Sequence, residues 1–316
     1  MTKRSPYPIN VNVVADENEA LPLEVLLMCD LLDEVADHYL GFYELEVTRT
    51  EIPSRYEIDL ETSNVAVGTS LIWDRLRPTC EIYLFESAHE IKSLATLLRA
   101  NQIAGSLEVL SRAAIERCGR VSWLIDHDEG VSAHVRSARA AFELAVTSQH
   151  YRQVIESMYP RGHEFSKHAA NQFKKFREYM EMSFSDVLTN DSAEIAEWSL
   201  DGTTYPDYTN LAIWAWFSAE DRPGEAKTTY KMLCAFSHPS VAASREHQFV
   251  DDEVVRYRYD ISYINKITSN TVAAFDKAFQ GFCSYFDRSF DSVVAQQVSI
   301  HERWPPLNHD PGDAED

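Results

Sequence analysis

An arginine and a glutamate stand one helical turn apart at Arg112 and Glu116, inside the segment LSRAAIERCGRVSWLID. Gly105, Arg112, Glu116, Gly119 and Trp123 are spaced seven, four, three and four apart, so a helix puts them on one face. Were that face solvated, the Arg-Glu pair would contribute well under ~1 kcal/mol. Were it buried, the two charges would have to be paired, and so held in position. The glycines admit another backbone and the indole seeks cover, which favours burial. Arg136, Arg139, Glu143 and His150 repeat the pattern on the next helix, where a solvated side is an equal alternative.

A third set ends a helix in TTYKMLCAFSHPS. Tyr230, Cys234 and Ser237 share a face, with Lys231 and His238 beside it. His238 falls at the helix C-terminus, where the dipole favours imidazolium. A histidine before proline is more often a cap than a catalyst. If the sets do chemistry, His238, Arg112, Glu116 and Arg139 are the candidate catalytic residues. Arg136, Tyr230, Ser237 and Trp123 then contact the ligand.

Other signals are weaker. Glu86-x-x-His89 has the spacing of half a di-iron site, but a second such pair is absent from the sequence. His163 and His168 are five apart and point to different faces. No metal and no cofactor is therefore expected. Arg161, Lys167, Lys174, Lys175 and Arg177 form a basic island, which could meet RNA, an acidic partner or the acidic remainder of its own chain; the last is the usual outcome. Dinucleotide, phosphate-loop, serine-hydrolase, zincin and kinase signatures are absent from the sequence.

The elements that carry these sets read as helices. An apolar stripe of Val25, Met28, Leu32, Val35, Tyr39 and Phe42 follows Pro22. Tyr56, Ile58 and Leu60 alternate with polar residues, which predicts a short extended element near 52–62. Ala88 to Leu98, Leu107 to Leu124 and Val131 to Tyr159 predict three long helices, the last stopped by Pro160-Arg161-Gly162. A polar helix over 163–182, a short one near 211–217, another after Pro223-Gly224 and a long one from Ile261 to Phe286 complete the set. The charged stretch 245–258 reads as extended. The expected fold is all-α, a bundle of about six to eight helices. Residues 1–20 and the acidic tail 301–316 read as disordered. Residues 21–300 read as one helical domain with an irregular insertion at about 183–222.

The chain has 316 residues, with 29 Lys and Arg against 50 Asp and Glu, a net charge of −21. Such a field repels phosphate backbones, so RNA is a disfavoured partner. Five scattered cysteines without a CxxC pair fit reduced thiols. No signal-peptide h-region and no long apolar run occur, so a cytoplasmic chain without membrane contact is expected.

The segments LSRAAIERCGRVSWLID, HVRSARAAF, YPDYTNLAIWAWF and TYKMLCAFSHPS together resemble a family of bacterial, largely actinobacterial, helical proteins of unknown function. Its pattern is an Arg-x-x-x-Glu helix, an Arg-rich helix and a Tyr…Ser…His helix. Here these match Arg112 and Glu116, Arg136 and Arg139, and Tyr230, Ser237 and His238, over roughly residues 85–245. The family is distantly similar to HEPN and abortive-infection proteins. That resemblance implies RNA cleavage by 2′-OH attack, with histidine as acid/base and arginine on the phosphorane, usually across a homodimer. This chain departs from the HEPN pattern: the basic residue before His238 is Lys231, which lacks the planar fork that clamps a phosphate. Two functions stand as expectations. One is a helical binding or interaction module for an unknown ligand or protein partner, in defence or stress response. The other is a metal-independent, HEPN-like ribonuclease; a di-iron-like bundle enzyme is a remote third. Whether the chain is an enzyme stays open at this point.

Overall fold

The computed structural model describes residues 13–14, 21–42, 53–63, 70–102, 106–126, 130–190, 192–216, 223–237, 248–251, 254–286 and 290–306. Among them are ten α-helices: α1 (Leu23–Phe42), α2 (Arg55–Ser63), α3 (Ser70–Arg99), α4 (Leu107–Leu124), α5 (Ala133–Met158), α6 (Glu164–Ser183), α7 (Tyr208–Trp216), α8 (Pro223–Ser237), α9 (Ile261–Tyr285) and α10 (Phe290–Arg303). The fold is all-α in its bulk, as the apolar periodicity predicts. Two short antiparallel sheets accompany the helices. One joins β2 (Val187–Leu188), β3 (Ser199–Leu200) and β4 (Thr203–Thr204), and the other joins β1 (Val13–Val14), β6 (Val254–Tyr259) and β5 (Gln248–Asp251). Among the described residues no helix is long and apolar enough to cross a membrane.

Two helices exceed the expected set. The stretch read as extended near 52–62 is instead α2. Ser54 and Glu57 form a reciprocal capping box: the Glu57 amide donates to Ser54 Oγ at 3.1 Å and the Ser54 amide to Glu57 Oε2 at 2.9 Å. Its alternating apolar residues misled because α2 is only nine residues long. The second addition is α10, which runs through residues 301–303 of the tail expected to be disordered. α3 begins at Ser70, well before Ala88. Ile72, Trp73, Leu76, Cys80 and Leu84 extend its buried stripe backwards, past Pro78 in its interior.

Helix α4 is the hub of the domain. It packs against α3, α5, α7, α8 and α9, so most of its surface is covered and its charges must find partners on neighbouring elements. The contact with α7 depends on Gly119, where an added Cβ would lie 2.0 Å from the Leu211 carbonyl oxygen. The expectation that glycine admits a second backbone is met there; Gly105 lies outside the described residues. In the insertion, Asp201 and Gly202 both take positive φ, 47° and 80°, and close the β3–β4 hairpin. The Asp201 carboxylate then ties the insertion to α5 through His134 Nε2 at 2.7 Å.

Candidate functional site

The polar residues of α4 and α5 meet partners in three successive stations. At the first, Arg112 Nε donates to Glu116 Oε1 at 2.7 Å, and the Tyr230 hydroxyl of α8 donates to the same oxygen at 2.6 Å. The Arg112 guanidinium lies 5.8 Å from the Tyr230 ring centroid. Arg112 and Glu116 of one sequence set thus meet Tyr230 of another. This station also reaches solvent: the side chains of Arg112 and Glu116 are 22% and 18% exposed. Burial and the Glu116 charge push the Tyr230 phenol well above its ordinary value. Burial opposes the Arg112 charge, but Glu116 outweighs it and raises that group too. Both stay protonated near neutrality, so they are fixed donors with no proton to exchange.

The second station lies deeper, around the buried Glu143 carboxylate. Arg120 donates to Glu143 Oε1 at 2.6 Å and to the Tyr205 hydroxyl at 2.7 Å, while Tyr205 donates to Glu143 Oε2 at 3.0 Å. The Tyr83 hydroxyl donates to Glu143 as well. Arg120 also lies over the rings of Tyr83, Tyr205 and Tyr208. Glu143 is buried, as the sequence pattern allowed. Arg120, Tyr83 and Tyr205 went unnoticed, although Arg120 follows Glu116 by one turn on the same face.

The third station holds the α5 arginines. Arg136, wholly buried, meets Asp59 of α2 in a fork, Nε to Oδ2 at 2.6 Å and an Nη to Oδ1 at 3.0 Å. The Tyr285 hydroxyl donates to Asp59 at 2.8 Å, and Arg136 donates to the Asp126 carbonyl at 2.8 Å. Arg139 donates to the Trp123 carbonyl at 2.8 Å and to Asp126 Oδ2 at 3.1 Å. It lies over the indoles of Trp123 and Trp214, and burial lowers its pKa. Trp123 is itself buried, edge-on to Tyr205. Nearby, Lys277 donates to the Trp214 carbonyl at 2.9 Å, and burial pushes its amine down to about 8.

The remaining candidates separate from these stations. The Ser237 hydroxyl donates back to the Leu233 carbonyl at 2.7 Å, within α8 itself. His238 lies outside the described residues, and His150, on α5, is exposed. Glu86 pairs with Arg117 at 2.6 Å, whereas His89 packs edge-on against Phe85, so the two do not converge. Among the described residues no three His, Cys, Asp or Glu side chains are grouped to hold a metal ion. Arg117 also pairs with Glu90, whose other oxygen is buried without a partner among the described residues. Burial pushes the Glu90 carboxyl up to about 7, against the pull of Arg117. In the basic island, Lys174 and Arg177 pair with Glu178 and Glu181 of their own helix, α6.

Comparison with protein-family models, with curated proteins and with solved structures gives no match.

Proposed function

We propose that this chain is a helical binding module whose ligand station is the Arg112–Glu116–Tyr230 face of α4 and α8, while the deeper arginines hold the fold. The observation that carries this reading is the commitment of each candidate phosphate clamp to a carboxylate. Arg112 meets Glu116, Arg136 meets Asp59 and Arg139 meets Asp126. A clamp already neutralised offers little to a developing phosphorane. The first station alone combines the expected residues with exposure, and its donors are fixed in one protonation state, which suits recognition better than proton transfer.

The metal-independent ribonuclease is the second reading, favoured by the course of α8. That helix carries Tyr230 to Glu116 and ends at Ser237, one residue before His238. A labelled single-stranded RNA incubated with the purified chain in excess chelator separates the two. The binding reading expects no cleavage above buffer. Cleavage that a folded His238→Ala chain loses would replace it with the nuclease.

A further inference from the structure

Helix α10 ends at Arg303, and Trp304-Pro305-Pro306 then lies in a cleft beside α9. Asn265 of α9, only 4% exposed, grips this segment with both ends of its amide. Its Oδ1 accepts from the Trp304 indole N–H at 2.7 Å. Its Nδ2 donates to the carbonyls of Pro305 and Pro306 at 3.1 and 3.3 Å. One carboxamide thus reads an indole donor and two proline carbonyls together, which a hydroxyl or a charged side chain could not do. Proline has no N–H and a fixed φ, so the two prolines are pre-extended and present only acceptors. Among the described residues, the segment bounds one side of a cavity of about 350 Å³ whose other walls include Leu27 of α1 and Ile261 of α9. Arg303 to Glu34 at 2.7 Å and His301 to Asp276 at 2.9 Å anchor the helix from which the segment departs.

We propose that this cleft is a docking groove for an extended Trp-Pro-Pro segment of a partner protein, and that residues 304–306 fill it in cis as a displaceable strap. The strap is held by one indole and one amide, so it opens far more easily than the domain unfolds. Its tether gives it a high effective concentration, on the order of millimolar. A partner therefore needs additional contacts, and the cavity that Leu27 and Ile261 line among the described residues offers them to an apolar side chain following the prolines. This groove is separate from the α4–α8 station and stands or falls independently of it.

The test is a fluorescently labelled peptide of residues 302–308, Glu-Arg-Trp-Pro-Pro-Leu-Asn, titrated by anisotropy into the full chain carrying Trp304→Ala. Saturable binding is expected, about tenfold or more tighter than to the wild-type chain, whose own strap competes. Adding Asn265→Leu to that chain abolishes it, as does alanine for tryptophan in the peptide. Trp304→Phe serves if Trp304→Ala does not fold: it keeps the ring and drops the indole N–H. A folded Trp304 variant that binds no peptide overturns the proposal. So does binding that is indifferent to Asn265→Leu or to the peptide's tryptophan.

Discussion

Gly119 of α4 faces the Leu211 carbonyl of α7 so closely that a methyl group on its Cα would sit 2.0 Å from the oxygen. The obstacle is backbone, not a flexible side chain, so the helices must separate to admit it. Gly119→Ala is expected to destabilise the chain by about 3 kcal/mol or more, at the upper end of overpacking costs. Urea unfolding measures this; a loss below about 1 kcal/mol would mean that α7 is not held against α4.

The same residue shows what was legible beforehand. Gly119, Arg112, Glu116 and Trp123 share a face by spacing alone, because helix geometry is local and periodic. Which partner each would meet is not local. Arg136 finds Asp59, 77 residues away, on a helix whose alternating Tyr56, Ile58 and Leu60 suggested an extended segment. The capping residues Ser54 and Glu57 were the signal that could have corrected this. Arg120 was missed for a related reason: its meaning depends on Glu143 and Tyr205, which come from other parts of the chain. Sequence spacing finds faces; tertiary packing decides which of them stay open.

The Arg136–Asp59 fork is buried, and breaking it strands a charge. Asp59→Leu is expected to cost about 3–5 kcal/mol, whereas adding Arg136→Met to it recovers much of that loss, because the stranded charge goes too. A double-mutant cycle by chemical denaturation supplies the coupling energy; strictly additive losses would rule out the fork as a structural unit.

Glu90 titrates across a useful window. Its carboxyl rises on folding from 4.5 to about 7. Its favourable contribution is therefore complete below pH 4.5 and lost as pH rises through 7. Glu90→Gln is expected to match wild type near pH 5 and to exceed it by about 1 kcal/mol at pH 8.5, after discounting for solvent screening. Equal urea midpoints at both pH values would contradict the assigned burial.

The anchor of α10 carries a second pH dependence. The hydrogen bond to Asp276 raises the His301 pKa from 6.5, against burial. Its contribution is complete below 6.5 and declines as pH rises through the folded value. Amide exchange in α10, corrected for intrinsic base catalysis, should accelerate between pH 6 and 9 in the wild type. In His301→Gln it should be fast already at pH 6. Identical corrected profiles would remove His301 from the anchor.

The division of the α4 polar face into an open station and a structural core is the central claim, and one measurement addresses it directly. The triple variant Arg112→Met, Glu116→Gln, Tyr230→Phe removes the open station while keeping its bulk. Compared by urea unfolding at pH 7, it is predicted to lie within about 1 kcal/mol of wild type, the range of partly exposed ion pairs. Glu143→Gln, which changes the buried carboxylate of the second station, is predicted to lose several times more. A triple variant that falls as far as Glu143→Gln would make Arg112, Glu116 and Tyr230 part of the scaffold and leave the chain without the ligand station assigned to it.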